Sequence, residues 1–219
     1  MEEARTVRVT GRGQLRLAPD TTRITISLSN VCREYADTLE RSAKDSEVLR
    51  DALETLGFAR EDLKTLSFNV DTEYENYRER DTYKQRFMGY RYRHEMKLEF
   101  PSDNALLGRV LYALAHASLE PEFQIGYTVR DTEAAKNRLL AAAVADAREK
   151  AEVLSKAAGV DLKNLLTIEY TRGEIEFSSR PVNRMLACKT ANADAAYNLD
   201  IEPDEIAVSD TVTLVWEIG

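Results

Sequence analysis

Apolar and polar positions alternate along this chain with few interruptions. Over 7–17, Val7, Val9, Leu15 and Leu17 fall on one side and Arg8, Thr10, Arg12, Gln14 and Arg16 on the other. Over 22–30, Ile24, Ile26 and Leu28 alternate with Arg23, Thr25, Ser27 and Ser29. The same period runs through Leu66, Phe68, Val70, Thr72 and Tyr74, and through Tyr90, Tyr92, His94, Met96, Leu98 and Phe100. Two later segments, 123–129 and 208–218, repeat it. A two-residue period predicts strands, and one apolar face against one wet face predicts an antiparallel sheet covered on a single side.

Three segments switch to a helical period. Residues 34–56 carry Tyr35, Leu39, Ala43, Leu49, Leu53 and Leu56, and residues 103–117 carry Leu106, Leu107, Val110, Leu111 and Leu114. Residues 132–158 carry Leu140, Ala143, Val144, Ala147, Ala151, Leu154 and Ala158. Ser102 and Asp131 are the predicted N-caps of the second and third helices, and Gly57 and Gly159 end the first and third.

These elements predict an α+β fold. One antiparallel sheet should hold the strands near 7–17, 22–30, 66–74 and 90–100, with the helices at 34–56 and 132–158 on one face. "LGFAREDLKTLSFNV" (56–70) answers "AGVDLKNLLTIEY" (158–170), each following a long helix and leading into a strand. That likeness suggests a duplicated β-α-β unit. The chain reads as one domain over 1–219, with repeat halves about 6–100 and 101–219. Residues 171–205 show no sustained period and read as an irregular arm, too long for an ordinary connection.

"VTGRGQLRLAPD" (9–20) contains a Gly-x-Gly. A phosphate-binding loop needs its glycines between a strand and a helix N-terminus. Gly11 and Gly13 instead share parity with Val7 and Val9 inside a strand, which predicts inward-facing positions that leave room for a bulge or a close helix.

Several pieces in order resemble the SIMPL domain family. They are "VTGRGQLRLAPDTTRITISL", "GFAREDLKTLSFNVDTEY", "MGYRYRHEMKLEF", "DTEAAKNRLLAAAVADAREKAEVLSKAAGV" and "IEPDEIAVSDTVTLVWEI". The resemblance implies an α+β fold and self-association. It also implies, for many members, a periplasmic or secreted location, and for some a link to protection against oxidative stress. It brings no catalytic residue set.

Composition narrows the functional classes. The 219 residues carry a formal net charge of -8, which repels nucleic acid and anionic membranes away from any local basic patch. No apolar run reaches the ~20 residues of a membrane span. The opening "MEEARTVRVTG" holds no apolar stretch, so the chain reads as cytoplasmic, unlike many members of that family. Cys32 and Cys188 read as two free thiols. His94 and His116 offer no metal-ligand spacing and read as a half-buried, satisfied histidine and a surface one. No cofactor, metal set or catalytic constellation is indicated.

The candidate interaction surface lies in 78–97, "RERDTYKQRFMGYRYRHEMK", where seven Arg and Lys face three acids. Its candidate residues are Arg78, Arg80, Tyr83, Lys84, Arg86, Phe87, Arg91 and Arg93. Interleaved rings and cations can bind single-stranded nucleic acid. Parity argues against it, because Tyr90 and Tyr92 share one face and Arg91 and Arg93 the other. Phe177, Met185 and Leu186 in the irregular arm complete the surface. The expected partner is a second copy of the chain, in a non-enzymatic, self-associating protein serving stress protection or scaffolding. Another protein could share that surface. The alternative is a small-ligand binder or enzyme with a pocket between sheet and helices.

Overall fold

The computed structural model describes residues 5–79, 82–171, 173, 175–179 and 201–219. The described residues form two compact units, one within 5–19, 128–179 and 204–219, the other within 20–127 and 201–203. The fold is α+β. Its elements in chain order are β1 (Thr6–Leu17), β2 (Thr21–Cys32), α1 (Tyr35–Glu54), β3 (Lys64–Glu79), β4 (Thr82–Pro101), α2 (Asn104–His116), β5 (Glu122–Thr128), α3 (Thr132–Ala158), β6 (Leu162–Glu169), the two-residue β7 (Ser178–Ser179) and β8 (Ile206–Ile218).

The strands divide between two sheets rather than one. β1 pairs antiparallel with β8, which pairs with β6, while β2, β3 and β4 belong to a separate sheet in the order β3-β4-β2-β5. Alternation shows that a segment is a strand but not which sheet it joins. The partner of β1 lies about two hundred residues downstream, with Val9 opposite Leu214. The duplication is not confirmed. β2 and β3 flank α1 and share a sheet, whereas β5 and β6 flank α3 and lie in different sheets.

In the first unit α3 lies on β1 and β8. Its buried residues recur every fourth position, as Ala135, Leu139, Ala143, Ala147, Ala151 and Ser155. This ridge is narrower than the predicted stripe, and Val144 and Leu154 are exposed. The reason is close approach. A Cβ on Gly11 would stand 2.1 Å from the Ala143 carbonyl oxygen and 2.6 Å from the Ala147 Cβ, and one on Gly13 would stand 2.1 Å from the Leu139 oxygen. Only small residues on both sides let helix and strand meet this closely. The Arg12 backbone N–H donates to Asp146 Oδ2 at 2.6 Å, so the helix also satisfies part of the sheet's β1 edge. Gly11 and Gly13 therefore face a helix from within a strand, as their parity predicts.

The second unit is built on the inner faces of β2 and β4. Ile24, Ile26, Leu28, Met96, Leu98 and Phe100 pack with Leu49 and Leu53 of α1 and Leu107, Val110, Leu111 and Leu114 of α2. α2 is capped by Asp103, whose Oδ1 accepts from Ala105 and Leu106 N–H at 2.8 and 3.2 Å, rather than by the predicted Ser102. The first half of α1 also departs from expectation. Tyr35 and Leu39 are exposed, and the side chains turned inward are Thr38, Ser42, Asp45 and Ser46. The strand beneath demands this, because Tyr92 and His94 bring polar atoms into the core and need partners there.

Candidate interaction surface

β3 and β4 outrun the rest of their sheet. β2 follows β4 only as far as Cys32 opposite Tyr90. Beyond that point the described residues of β3 and β4, from Glu73 and from Gly89 outward, pair with each other alone. At the root of this ribbon Glu73 faces Gly89 and Tyr74 faces Phe87, so Met88 is the extra residue of a bulge. Gly89 has φ 142°, and a Cβ there would meet the Cys32 carbonyl oxygen at 2.2 Å. A side chain at that position would block the bend.

The two faces of the ribbon differ in chemistry. On one, acids from β3 meet arginines from β4. Arg93 reaches Asp71 at 3.2 Å, Arg91 grips Glu73 through two bonds of 2.9 and 2.8 Å, and Arg86 pairs with Glu75. The Arg91 hydrogen bonds hold the Glu73 carboxyl below its usual range and raise the guanidinium in turn. On the other face four rings form a row. Tyr74 meets Phe87 at 5.7 Å, Phe87 meets Tyr90 at 5.4 Å, and Tyr90 meets Tyr35 of α1 at 5.4 Å, each pair edge to face. Farther out, Arg78 lies 6.0 Å over the Tyr83 ring, and Tyr83 is 79% exposed.

The basic excess seen in 78–97 is thus answered by acids at 71, 73 and 75, just outside that window. Arg86, Arg91 and Arg93 belong to the ionic face, Phe87 and Tyr83 to the aromatic one, and Lys84, exposed, sits opposite Tyr77 on the ionic side. Single-stranded nucleic acid needs cations beside its stacking rings. Here the two are largely back to back, with Arg78 and Tyr83 the pair that shares a face. Arg80, Met185 and Leu186 lie outside the described residues. Phe177 is a correction. It is buried with Val129, Ala135 and Ile206 in the first unit, and its carbonyl accepts from Thr128 Oγ1 at 2.7 Å, so it is core and not contact surface. An aperiodic segment gives no parity from which that burial could be read. Sequence reasoning also left Tyr35 and Tyr74 out of the surface by assigning them to buried stripes.

The polar layer under α1 is the other place where chemistry collects. Asp45, buried, accepts from the Tyr92 hydroxyl and pairs with Arg41 at 2.9 Å. Burial, then that hydrogen bond, push the Tyr92 phenol up. Ser46 Oγ lies 3.0 Å from His94 Nδ1, and Thr65 Oγ1 lies 2.8 Å from His94 Nε2. Since Ser46 donates to the Ser42 carbonyl at 2.8 Å, it accepts from His94, and the ring cannot act as a base toward that serine. Burial and nearby Arg50 hold the imidazole below its ordinary range. The arrangement is that of a satisfied core histidine. His116 is exposed and stacks on Tyr112 at 3.9 Å.

A cleft of about 180 Å³ beside α3 is lined by Lys136, Leu140, Tyr170 and Ile175. It is smaller than the ~300–1,000 Å³ of common ligand pockets. Its polar ends are engaged, Lys136 with Glu133 at 2.7 Å and the Tyr170 hydroxyl with Asp210 at 2.9 Å. Among the described residues no group of three His, Cys, Asp or Glu side chains is placed to hold a metal ion. No helix among them is long and apolar enough to cross a membrane.

Compared with known families, residues 7–216 match the one described as SIMPL, protein of unknown function (DUF541). No curated protein matches the chain.

Proposed function

Because the chain belongs to the SIMPL family over nearly its whole length, we propose that it acts through protein contact, as a non-enzymatic, self-associating protein. The observation that carries this reading is the amount of apolar side chain left in water on ordered elements. Tyr35, Tyr74, Tyr83, Phe87 and Met88 are exposed in the second unit, and Leu165, Leu166 and Ile168 on β6 in the first. Each large side chain that an interface could bury contributes ~1.5–3 kcal/mol. Contiguous apolar patches of this kind mark association surfaces. β6, like β1, is an edge strand of its sheet. Scaffolding or stress protection are roles that a contact protein can fill without a catalytic centre.

Co-expression of a tagged and an untagged copy tests the reading. The untagged chain is expected to co-purify with the tagged one at physiological salt. Recovery of the tagged chain alone would overturn the proposal and return attention to the cleft at Lys136 and Tyr170.

A further inference from the structure

We infer that the aromatic face of the β3–β4 ribbon is a two-fold contact between copies of this chain. The inference rests on the self-association reading and names the surface and its occupant. A two-stranded ribbon is at best marginally stable in water without a layer on its apolar face. This one extends from Glu73 to Glu79 on β3, beyond the reach of β2. Its ionic face needs no outside partner, because Asp71, Glu73 and Glu75 already answer Arg93, Arg91 and Arg86. The face left to be covered carries Tyr74 and Phe87, then Asn76 opposite Gln85, then Arg78 opposite Tyr83, with Tyr35 at its root.

Area and charge favour a second copy as the occupant. Tyr35, Tyr74, Tyr83 and Phe87 are 51%, 52%, 79% and 45% exposed. At roughly 200 Å² for a full aromatic side chain they offer about 450 Å². Thr72, Asn76 and Gln85 between them bring the face toward the ~600 Å² per partner at which stable interfaces begin. Two chains of net charge -8 repel each other over most of their surface. Over 71–97 seven basic residues meet six acidic ones, so the ribbon is nearly neutral and that repulsion is weak there. A heterologous contact with an acidic surface would need free arginines, and three of those on β4 are committed to β3. Rings already set edge to face present alternating faces and edges, which a two-fold axis can interleave with their own copies.

Sedimentation velocity on the full chain and on Phe87→Glu and Glu75→Gln variants tests the contact. Phe87→Glu is expected to weaken association by about tenfold or more, as loss of a central aromatic anchor does. Glu75→Gln, on the ionic face, leaves it within about twofold. As a check that does not depend on that variant folding, Gln85→Cys in a Cys32→Ser, Cys188→Ser background should be captured as a covalent dimer by a flexible thiol-specific cross-linker. Lys84→Cys, on the opposite face, should not. An associated wild type whose assembly and cross-linking ignore these positions overturns the contact and leaves self-association standing. A wild type that stays monomeric overturns both.

Discussion

Replacing Gly11 with alanine perturbs the closest approach in the first unit. The new Cβ would sit 2.1 Å from the Ala143 carbonyl oxygen and 2.4 Å from the Ala147 backbone nitrogen, where ordinary contact begins at 3.4 Å. Those are backbone atoms of α3 and cannot swing away. The helix must retreat by more than 1 Å from β1, along the ridge that seals Val9, Val212, Leu214 and Trp216. A gap of that width forfeits about half or more of each dispersion contact it opens. Overpacking of this kind costs ~1–3 kcal/mol, occasionally more, and we expect about 3 kcal/mol here because the clash is with backbone on two residues. Gly57→Ala is the control. A Cβ there meets nothing within 4 Å, and only the positive φ of 92° opposes it, at ~1–2 kcal/mol. The readout is urea unfolding followed by tryptophan fluorescence, since Trp216 is the single tryptophan and lies in the affected core. A Gly11→Ala protein within about 0.5 kcal/mol of wild type would show that helix and strand do not meet this closely, and would refute the account of the Gly-x-Gly.

Other outcomes follow from the polar layer and the thiols. Asp45→Ala strands the buried Tyr92 hydroxyl and is expected to cost ~1–3 kcal/mol in urea unfolding, whereas Arg41→Ala, which removes a half-exposed partner, costs clearly less. His94 has a depressed folded-state pKa, so the unfolded chain binds its proton first as pH falls. Its contribution to stability is therefore present above the ordinary imidazole value of about 6.5 and is lost as pH drops toward the folded value. His94→Gln should flatten the pH dependence of the unfolding midpoint on the acid side of neutrality, and an unchanged slope would contradict the assigned environment. Alkylation of denatured protein without reductant should count two thiols per chain, as the free Cys32 leads us to expect for both cysteines.

Much of this fold was legible because its strands are long and its alternation clean. Val9, Leu214 and Trp216 fall where the period puts them, and α3 begins and ends at its predicted bounds with Asp131 accepting from Ala134 N–H at 2.8 Å. What stayed hidden depends on pairing across the sequence. The separation of β1 from β2 is decided by β8, about two hundred residues away, and no local pattern announces it. The polar inner face of α1 was missed because helix reading favours Leu39 over Asp45. The choice is made by Tyr92 and His94 on a neighbouring strand. The ribbon was legible in part. Parity separated its rings from its arginines, but the acids that neutralise those arginines lie outside the basic stretch and appear only once β3 and β4 are in register. Phe177 shows the limit of composition, since an apolar residue in an aperiodic segment is as consistent with core as with contact.

The central claim is that this chain works as an assembly, and native mass of the full chain at tens of micromolar and physiological salt tests it most directly. The account predicts an integral multiple of the 24.8 kDa chain, at least a dimer. A single species at the mass of one chain would contradict it.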